Sequence, residues 1–159
     1  MSTPPRQHGA GVALFSPPST QELDEALGAL LELIDAHQRF VVVSHIHPDG
    51  DAVGSTLAMG LWLEEMGKQV VFYNRDPVPY NFGFLPGVER WVHEVPEDFQ
   101  AEVTILLDCA EPAGASSPAR AGVWAERVAV VDHHKTWDAD FAQVYVRDVA
   151  AAATGEIIY

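Results

Sequence analysis

Three short runs of this sequence carry side chains that bind metals or move protons, and each follows directly on an apolar stretch. His45-Ile46-His47-Pro48-Asp49-Gly50-Asp51 follows Phe40–Val43, Asp108 follows Val103–Leu107, and Asp132-His133-His134 follows Val128–Val131. A further acid, Asp148, stands just after Phe141–Val146. The first run places one imidazole and two carboxylates within a few residues, and Pro48 and Gly50 favour a turn, so these side chains converge rather than alternate. Oxygen-rich donor sets suit hard divalent cations such as Mg²⁺ and Mn²⁺, with the imidazole tipping the balance toward Mn²⁺. Adjacent histidines after an apolar strand are awkward to bury without a task, and a neighbouring carboxylate is the arrangement that fixes the tautomer of a ligating imidazole. Plainer roles compete: Asp51 can cap a helix that starts near Ala52, and Asp108 and Asp148 can each close a turn. His47 faces either solvent or a substrate phosphate. His8, His37 and His93 read as surface residues.

Strand–helix alternation positions these groups. Ser19-Thr20-Gln21-Glu22 matches a capping box and opens a helix to about His37, with Leu23, Ala26, Leu27, Leu30 and Ile34 at helical spacing. Phe40–Val43 reads as a strand covered on both faces. A helix follows from about Ala52, with Met59, Trp62, Leu63 and Met66 on one stripe and Gly67 as its stop. Val70–Tyr73, Val103–Leu107, Val128–Val131 and Phe141–Val146 complete five strands. Asn74 to Arg90 is a Pro- and Gly-punctuated connection, Ala119 to Arg127 reads as a short helix, and Val149 onward reads as helical to the last residue, Tyr159. Residues 1–18 read as a flexible tail. The expected architecture is α/β: a mostly parallel five-stranded sheet flanked by helices over residues 19–159. In such sheets ligands bind beyond the carboxyl ends of the strands, where His45, Asp108, Asp132-His133-His134 and Asp148 would face one another.

Composition narrows the function. The 159 residues carry 9 Lys+Arg against 23 Asp+Glu, a formal charge of −14, which argues against broad electrostatic adhesion to nucleic acid or anionic lipid. A phosphate-bearing substrate remains compatible where bound cations supply positive charge. With 48% hydrophobic residues the chain can bury a core. The single cysteine, Cys109, excludes an internal disulfide and points to a reducing compartment. No apolar run approaches the ~20 residues of a membrane span, and the amino terminus lacks a signal-peptide pattern, so a cytoplasmic location is expected.

In order and spacing, His45-x-x-Pro48-Asp49-x-Asp51-Ala52, Asp108, Asp132-His133-His134 and Asp148 resemble the motifs of the DHH phosphoesterases. Within that superfamily, Ser44 to Ser55, Asn74-Arg75-Asp76, Phe84-Leu85-Pro86-Gly87, Leu107-Asp108-Cys109-Ala110 and Ala152 to Tyr159 resemble the NrnA-type branch. The resemblance implies a DHH domain truncated within its last helix, with the carboxy-terminal DHH-associated domain absent. It implies two divalent cations, Mn²⁺ preferred and Mg²⁺ or Co²⁺ allowed. His45, Asp49 and Asp108 would hold one, while Asp51, Asp108, His133 and Asp148 would hold the other, Asp108 bridging. Asp132 would orient His133, and His134 would bond a phosphate oxygen or assist the leaving group. His47 and Arg75 would contact substrate. The implied activity is hydrolysis of short RNA oligonucleotides (nanoRNA) to mononucleotides, and of the 3′-phosphate of phosphoadenosine phosphate (pAp) to give AMP. Cleavage of cyclic or linear dinucleotides, or of pyrophosphate, stays open within the same superfamily. So does a metal- or nucleotide-binding module without turnover. Partners implied are short single-stranded RNA or a nucleotide, the absent second domain and no membrane; a homodimer is left open.

Overall fold

A computed structural model describes residues 18–109, 125–135 and 141–159. These residues form the expected α/β architecture, but with six strands among them rather than five. In chain order they are β1 (Arg39–Ser44), β2 (Gln69–Tyr73), β3 (Trp91–Val92), β4 (Val103–Leu107), β5 (Arg127–Asp132) and β6 (Val144–Arg147). The strand order is β3-β2-β1-β4-β5-β6, and every pairing is parallel. Among the described residues three helices accompany them: α1 (Thr20–Asp35), α2 (Gly50–Glu65) and α3 (Thr154–Ile158).

The core explains why the strands read as unbroken apolar runs. Val42, Phe72, Ile105, Leu107, Ala129, Val131 and Val146 face one side, where they pack with Leu30 and Ile34 of α1, Val53, Leu57 and Leu63 of α2, and Ile157 and Ile158 of α3. Alternate residues Val41, Val43, Leu106, Val128 and Val130 face the other side, against Val95, Phe99, Phe141 and Tyr145. Parallel strands buried on both faces have no polar side to alternate.

Helix boundaries follow local chemistry. Ser19 caps α1 in the expected reciprocal box, its backbone N–H donating to Glu22 Oε2 at 2.8 Å. After α2, Gly67 takes φ +79°, the left-handed turn that halts a helix. Along α2, Met59 and Leu63 are buried as expected, whereas Trp62 and Met66 stand partly in solvent. Among the described residues no helix is long and apolar enough to cross a membrane.

Several expectations need correction. The strand β3 was not expected, because two residues carry no periodicity; it is held by pairing with Phe72 and Tyr73, by Asn74 N–H to the Val92 carbonyl, and by the Trp91 indole N–H to the Asp76 carbonyl. The last strand covers Val144–Arg147 rather than Phe141–Val146. Residues 149–153 are turn and bend, not helix. There the Asp148 carboxylate accepts the Ala150 N–H at 2.8 Å and Glu156 accepts the Ala152 N–H at 2.7 Å, and these side-chain bonds outcompete the helical preference of the alanines. The short helix expected over 119–127 lies outside the described residues up to 124; Arg127 itself opens β5. The tail over residues 1–18 lies outside them up to 17.

Gly60 sits on α2 where it meets β2. A Cβ there would run into the Phe72 ring, with Cδ1 at 2.8 Å, and Phe72 is itself buried. Alanine is the better helix former by about 1 kcal/mol, yet overpacking costs typically ~1–3 kcal/mol. Gly60→Ala should therefore destabilise the fold, lowering the urea midpoint; a midpoint at or above the parent's would show that the Phe72 ring can give way.

Candidate metal centre

The strand order places the chemistry. The sequence runs outward from β1 to β2 and β3, then returns to the other side of β1 as β4, so the order reverses between β1 and β4. Crevices at such reversals, beyond the carboxyl ends of the strands, are where open α/β sheets bind ligands. Register levels the ends: Ser44 pairs with Leu107, and Leu107 with Val131. The next residues along, His45, Asp108 and Asp132, therefore emerge in one row.

Asp108 is the hub of that row. Its residue is only 3% exposed, and it adopts φ +56°, a left-handed conformation that Asp tolerates better than most side chains. One carboxylate oxygen, Oδ2, lies 3.5 Å from His45 Nε2. The other, Oδ1, lies 3.5 Å from His133 Nε2 and 3.6 Å from His134 Nδ1, and accepts the Thr154 hydroxyl at 3.0 Å. Two sets of donor atoms mutually within 4.8 Å share this residue: His45, Asp49 and Asp108 on one side, and Asp108, His133 and His134 on the other.

The remaining expected residues take distinct places. Asp49, not Asp51, caps α2, its Oδ1 accepting the N–H groups of Asp51 and Ala52 at 3.0 and 3.1 Å. That same oxygen is 3.8 Å from His45 Nε2. Asp51 lies 3.7 Å from His133 Nε2 and receives three hydrogen bonds: the Thr154 N–H on Oδ2, and the Gly155 N–H and the Ser55 hydroxyl on Oδ1. Asp132 is fully buried and holds His134 rather than His133. Its Oδ1 is 2.7 Å from His134 Nδ1, and its Oδ2 accepts the His134 backbone N–H. The expectation that Asp132 orients His133 is thus corrected: the two rings stay in contact, centroids 4.5 Å apart and tilted by 54°, but His134 turns its Nδ1 to Asp132 while His133 Nδ1 meets the Ala151 carbonyl at 3.3 Å. Asp148 follows β6 and belongs to neither shared donor set. His47 and Arg75 are exposed, and Asp76 gathers them, accepting the His47 N–H at 2.8 Å and lying 3.5 Å from Arg75 Nε.

Sequence reasoning assigned no role to Thr154, Ser55, Asn74 or Asp76. Asn74 is fully buried and donates to the Ser44 hydroxyl and the His45 carbonyl, bracing the turn that carries the first ligands. The signal available was the polar type of each within an otherwise apolar or alanine-rich stretch.

Electrostatics bears on what the cluster holds. His45 is raised from 6.5 to about 9, first through its contact with Asp108, with burial opposing. Burial also works against charge on His134, but Asp132 and Asp108 together raise it. Burial disfavours ionised Asp108, yet the contacts from His45 and Thr154 and the charge of His134 keep its carboxyl below the ordinary value. A crevice that stabilises positive charge between converging carboxylates and imidazoles fits a divalent cation, and the mixed oxygen–nitrogen donor set is one that Mn²⁺ accepts.

Comparison with known proteins identifies the family. Residues 39–159 match the model of the DHH family, N-terminal domain. Over 118 residues, 74% of this chain, the sequence is 32% identical to the bifunctional oligoribonuclease and PAP phosphatase NrnA of Thermus thermophilus. That match takes in 34% of the relative, so the chain spans about a third of its length. The crystal structure of an exopolyphosphatase-related protein from Bacteroides fragilis shares the fold, with a TM-score of 0.76 over 86% of this chain and 42% of that one at 22% identity. With the family model spanning residues 39–159, which hold the described strands and the clustered acids and histidines, this chain belongs to the DHH family, matching its N-terminal domain.

Proposed function

We propose that this chain is the catalytic domain of a Mn²⁺-dependent phosphoesterase that hydrolyses short RNA oligonucleotides to mononucleotides and pAp to AMP. The observation that carries the proposal is the buried Asp108 carboxylate with one oxygen turned to each of two donor sets. A bridging carboxylate of this kind is what a two-cation centre for phosphoryl chemistry requires. His45, Asp49 and Asp108 would hold the first cation. Asp108 and His133, with Asp51 beside them and Asp148 following β6, would hold the second. Bound there, the pair supplies Lewis acidity toward phosphoryl oxygens and a nucleophile at neutral pH.

The chain's own groups do the rest. Asp132 pins Nδ1 of His134, which leaves Nε2 of this half-exposed ring for a phosphate oxygen or for protonating the leaving group. The exposed Arg75 and His47 supply contacts to a second phosphate or the chain that leaves. A nucleotide is favoured over pyrophosphate by two aromatics in the connection beyond β2: Tyr80 is 96% exposed and Phe84 80%. Between them Phe82 packs against Gly50, beside Asp49 and Asp51, which brings this loop to the rim of the centre. Exposed rings there suit nucleobases, whose stacking is worth about 1–3 kcal/mol each. The name of the Thermus relative supports the same substrates. Cytoplasmic RNA turnover is the setting this implies.

Incubating the chain with Mn²⁺ and labelled RNA of two to five nucleotides, beside pAp and pyrophosphate, tests the proposal. Mononucleotides and AMP should appear, and Asp108→Ala should abolish both while depleting bound Mn²⁺ from the two positions together. Pyrophosphate hydrolysis alone would make the substrate assignment wrong; Mn²⁺ uptake with no hydrolysis of any of the three would favour a binding module. His134→Asn should cut turnover by the roughly 10²–10⁴-fold typical of a lost general acid–base group while Mn²⁺ stoichiometry holds. Equal loss of metal would make His134 a ligand.

The raised value of His45 gives a pH dependence. A group whose pKa is higher folded than unfolded stabilises the fold fully below its unfolded value, and that contribution disappears as pH rises through the folded value. In chelator, stability should therefore decline from pH 6.5 toward about 9. Mn²⁺ competes with that proton, so its apparent affinity should climb across the same interval. Calorimetric titrations at several pH values that give a flat affinity would remove His45 from the ligand set.

A further inference from the structure

Asp108 follows β4 and Asp51 stands in the first turn of α2, yet Thr154 bonds to both. The Thr154 hydroxyl donates to Asp108 Oδ1 at 3.0 Å, and the Thr154 backbone N–H donates to Asp51 Oδ2 at 2.7 Å. Thr154 is fully buried, and its bond to Asp108 is buried with it, away from competing water. The Gly155 N–H and the Ser55 hydroxyl then occupy Asp51 Oδ1 at 2.9 and 3.0 Å. Between them these donors fix the plane of each carboxylate.

We propose that Thr154 is a positioning residue for the metal centre, setting the rotamer in which Asp108 presents one oxygen to each donor set and holding Asp51 in register with it. A carboxylate free to rotate about its last bond points both oxygens at His45 and both histidines only part of the time. The Thr154 bond selects the orientation with Oδ1 toward His133 and His134 and Oδ2 toward His45. Partners that hold ligating groups in this way are worth ~10–100-fold in metal affinity. Because the bond from Thr154 leaves a lone pair on Oδ1 for a cation, the hydroxyl orients the ligand without competing for it. The inference rests on the metal-centre reading above.

The test compares Thr154→Val, which keeps the shape and deletes the hydroxyl, with Thr154→Ser, which keeps the hydroxyl and deletes a methyl group. Mn²⁺ binding is measured by calorimetry, with urea stability in chelator alongside. The valine variant should lose roughly tenfold or more in Mn²⁺ affinity, and the serine variant should stay near the parent. Should the valine variant not fold, Thr154→Ala supplies the same deletion with less bulk. Affinity equal to the parent's without the hydroxyl, or equal losses in the serine and hydroxyl-free variants, would reduce Thr154 to packing and overturn the inference alone. No Mn²⁺ uptake by the parent chain would overturn the metal-centre reading and this inference together.

Discussion

A carboxylate sealed from water has to be matched by hydrogen bonds or positive charge, because desolvation penalises its ionised form. Asp108 is such a group, and the arrangement around it answers that requirement from several directions at once. His45 approaches from β1, His133 and His134 approach from beyond β5, and Thr154 approaches from the start of α3. None of these is near Asp108 in sequence, so the centre exists only when the tertiary fold does. The same concentration of acceptors and imidazoles that would be costly on its own becomes favourable once a dication shares it.

The sheet makes this convergence simple to achieve. Parallel strands all deliver their carboxyl ends to one edge, and the reversal between β1 and β4 leaves a crevice there with no crossing connection to fill it. Apolar residues on both faces fix each strand against its neighbours, so the clustered acids and histidines emerge directly from the ends of rigid supports. Around this frame the turn carrying Asp49 and Asp51 is braced by Asn74, and the Asn74–Asp76 segment is in turn held by Trp91 and His93. The second ring of contacts is therefore polar and specific, whereas the first layer of the fold is apolar and generic.

That division explains what could be read from the amino acids. The strands β1, β4 and β5 were legible because each holds at least three consecutive aliphatic residues in a short, nearly unbroken apolar run, and the acids and histidines that follow marked the edge. Ser19 and Glu22 announced α1 through a local pairing. The strand β3 was invisible, since its two residues are strands only by virtue of Phe72 and Tyr73 beside them. Residues 149–153 misled because intrinsic preference favours helix in an alanine run, whereas Asp148 and Glu156 bond its N–H groups. The partner of Asp132 was misassigned for a related reason: adjacency along the chain suggested His133, while beyond the end of β5 the residue two along folds its backbone N–H and Nδ1 back onto the Asp132 carboxylate. Thr154 carried no local sign of its role, since its partners lie 46 and 103 residues away.

The level alignment of Ser44, Leu107 and Val131 also governs how such a chain can change over evolutionary time. One residue inserted into β4 would move Asp108 by about 3.3 Å and exchange the faces of everything after it. No side-chain adjustment recovers an error of that size in a site whose contacts are 3.5 Å. The stretch from Asp76 to Arg90, by contrast, changes direction through two short 3₁₀ turns, at Tyr80–Phe82 and Val88–Arg90, before β3 begins. Length variation is affordable there and forbidden a few ångströms away. Relatives of this chain are thus free to diversify at the rim of the crevice, while the spacing within each strand behaves as a fixed ruler.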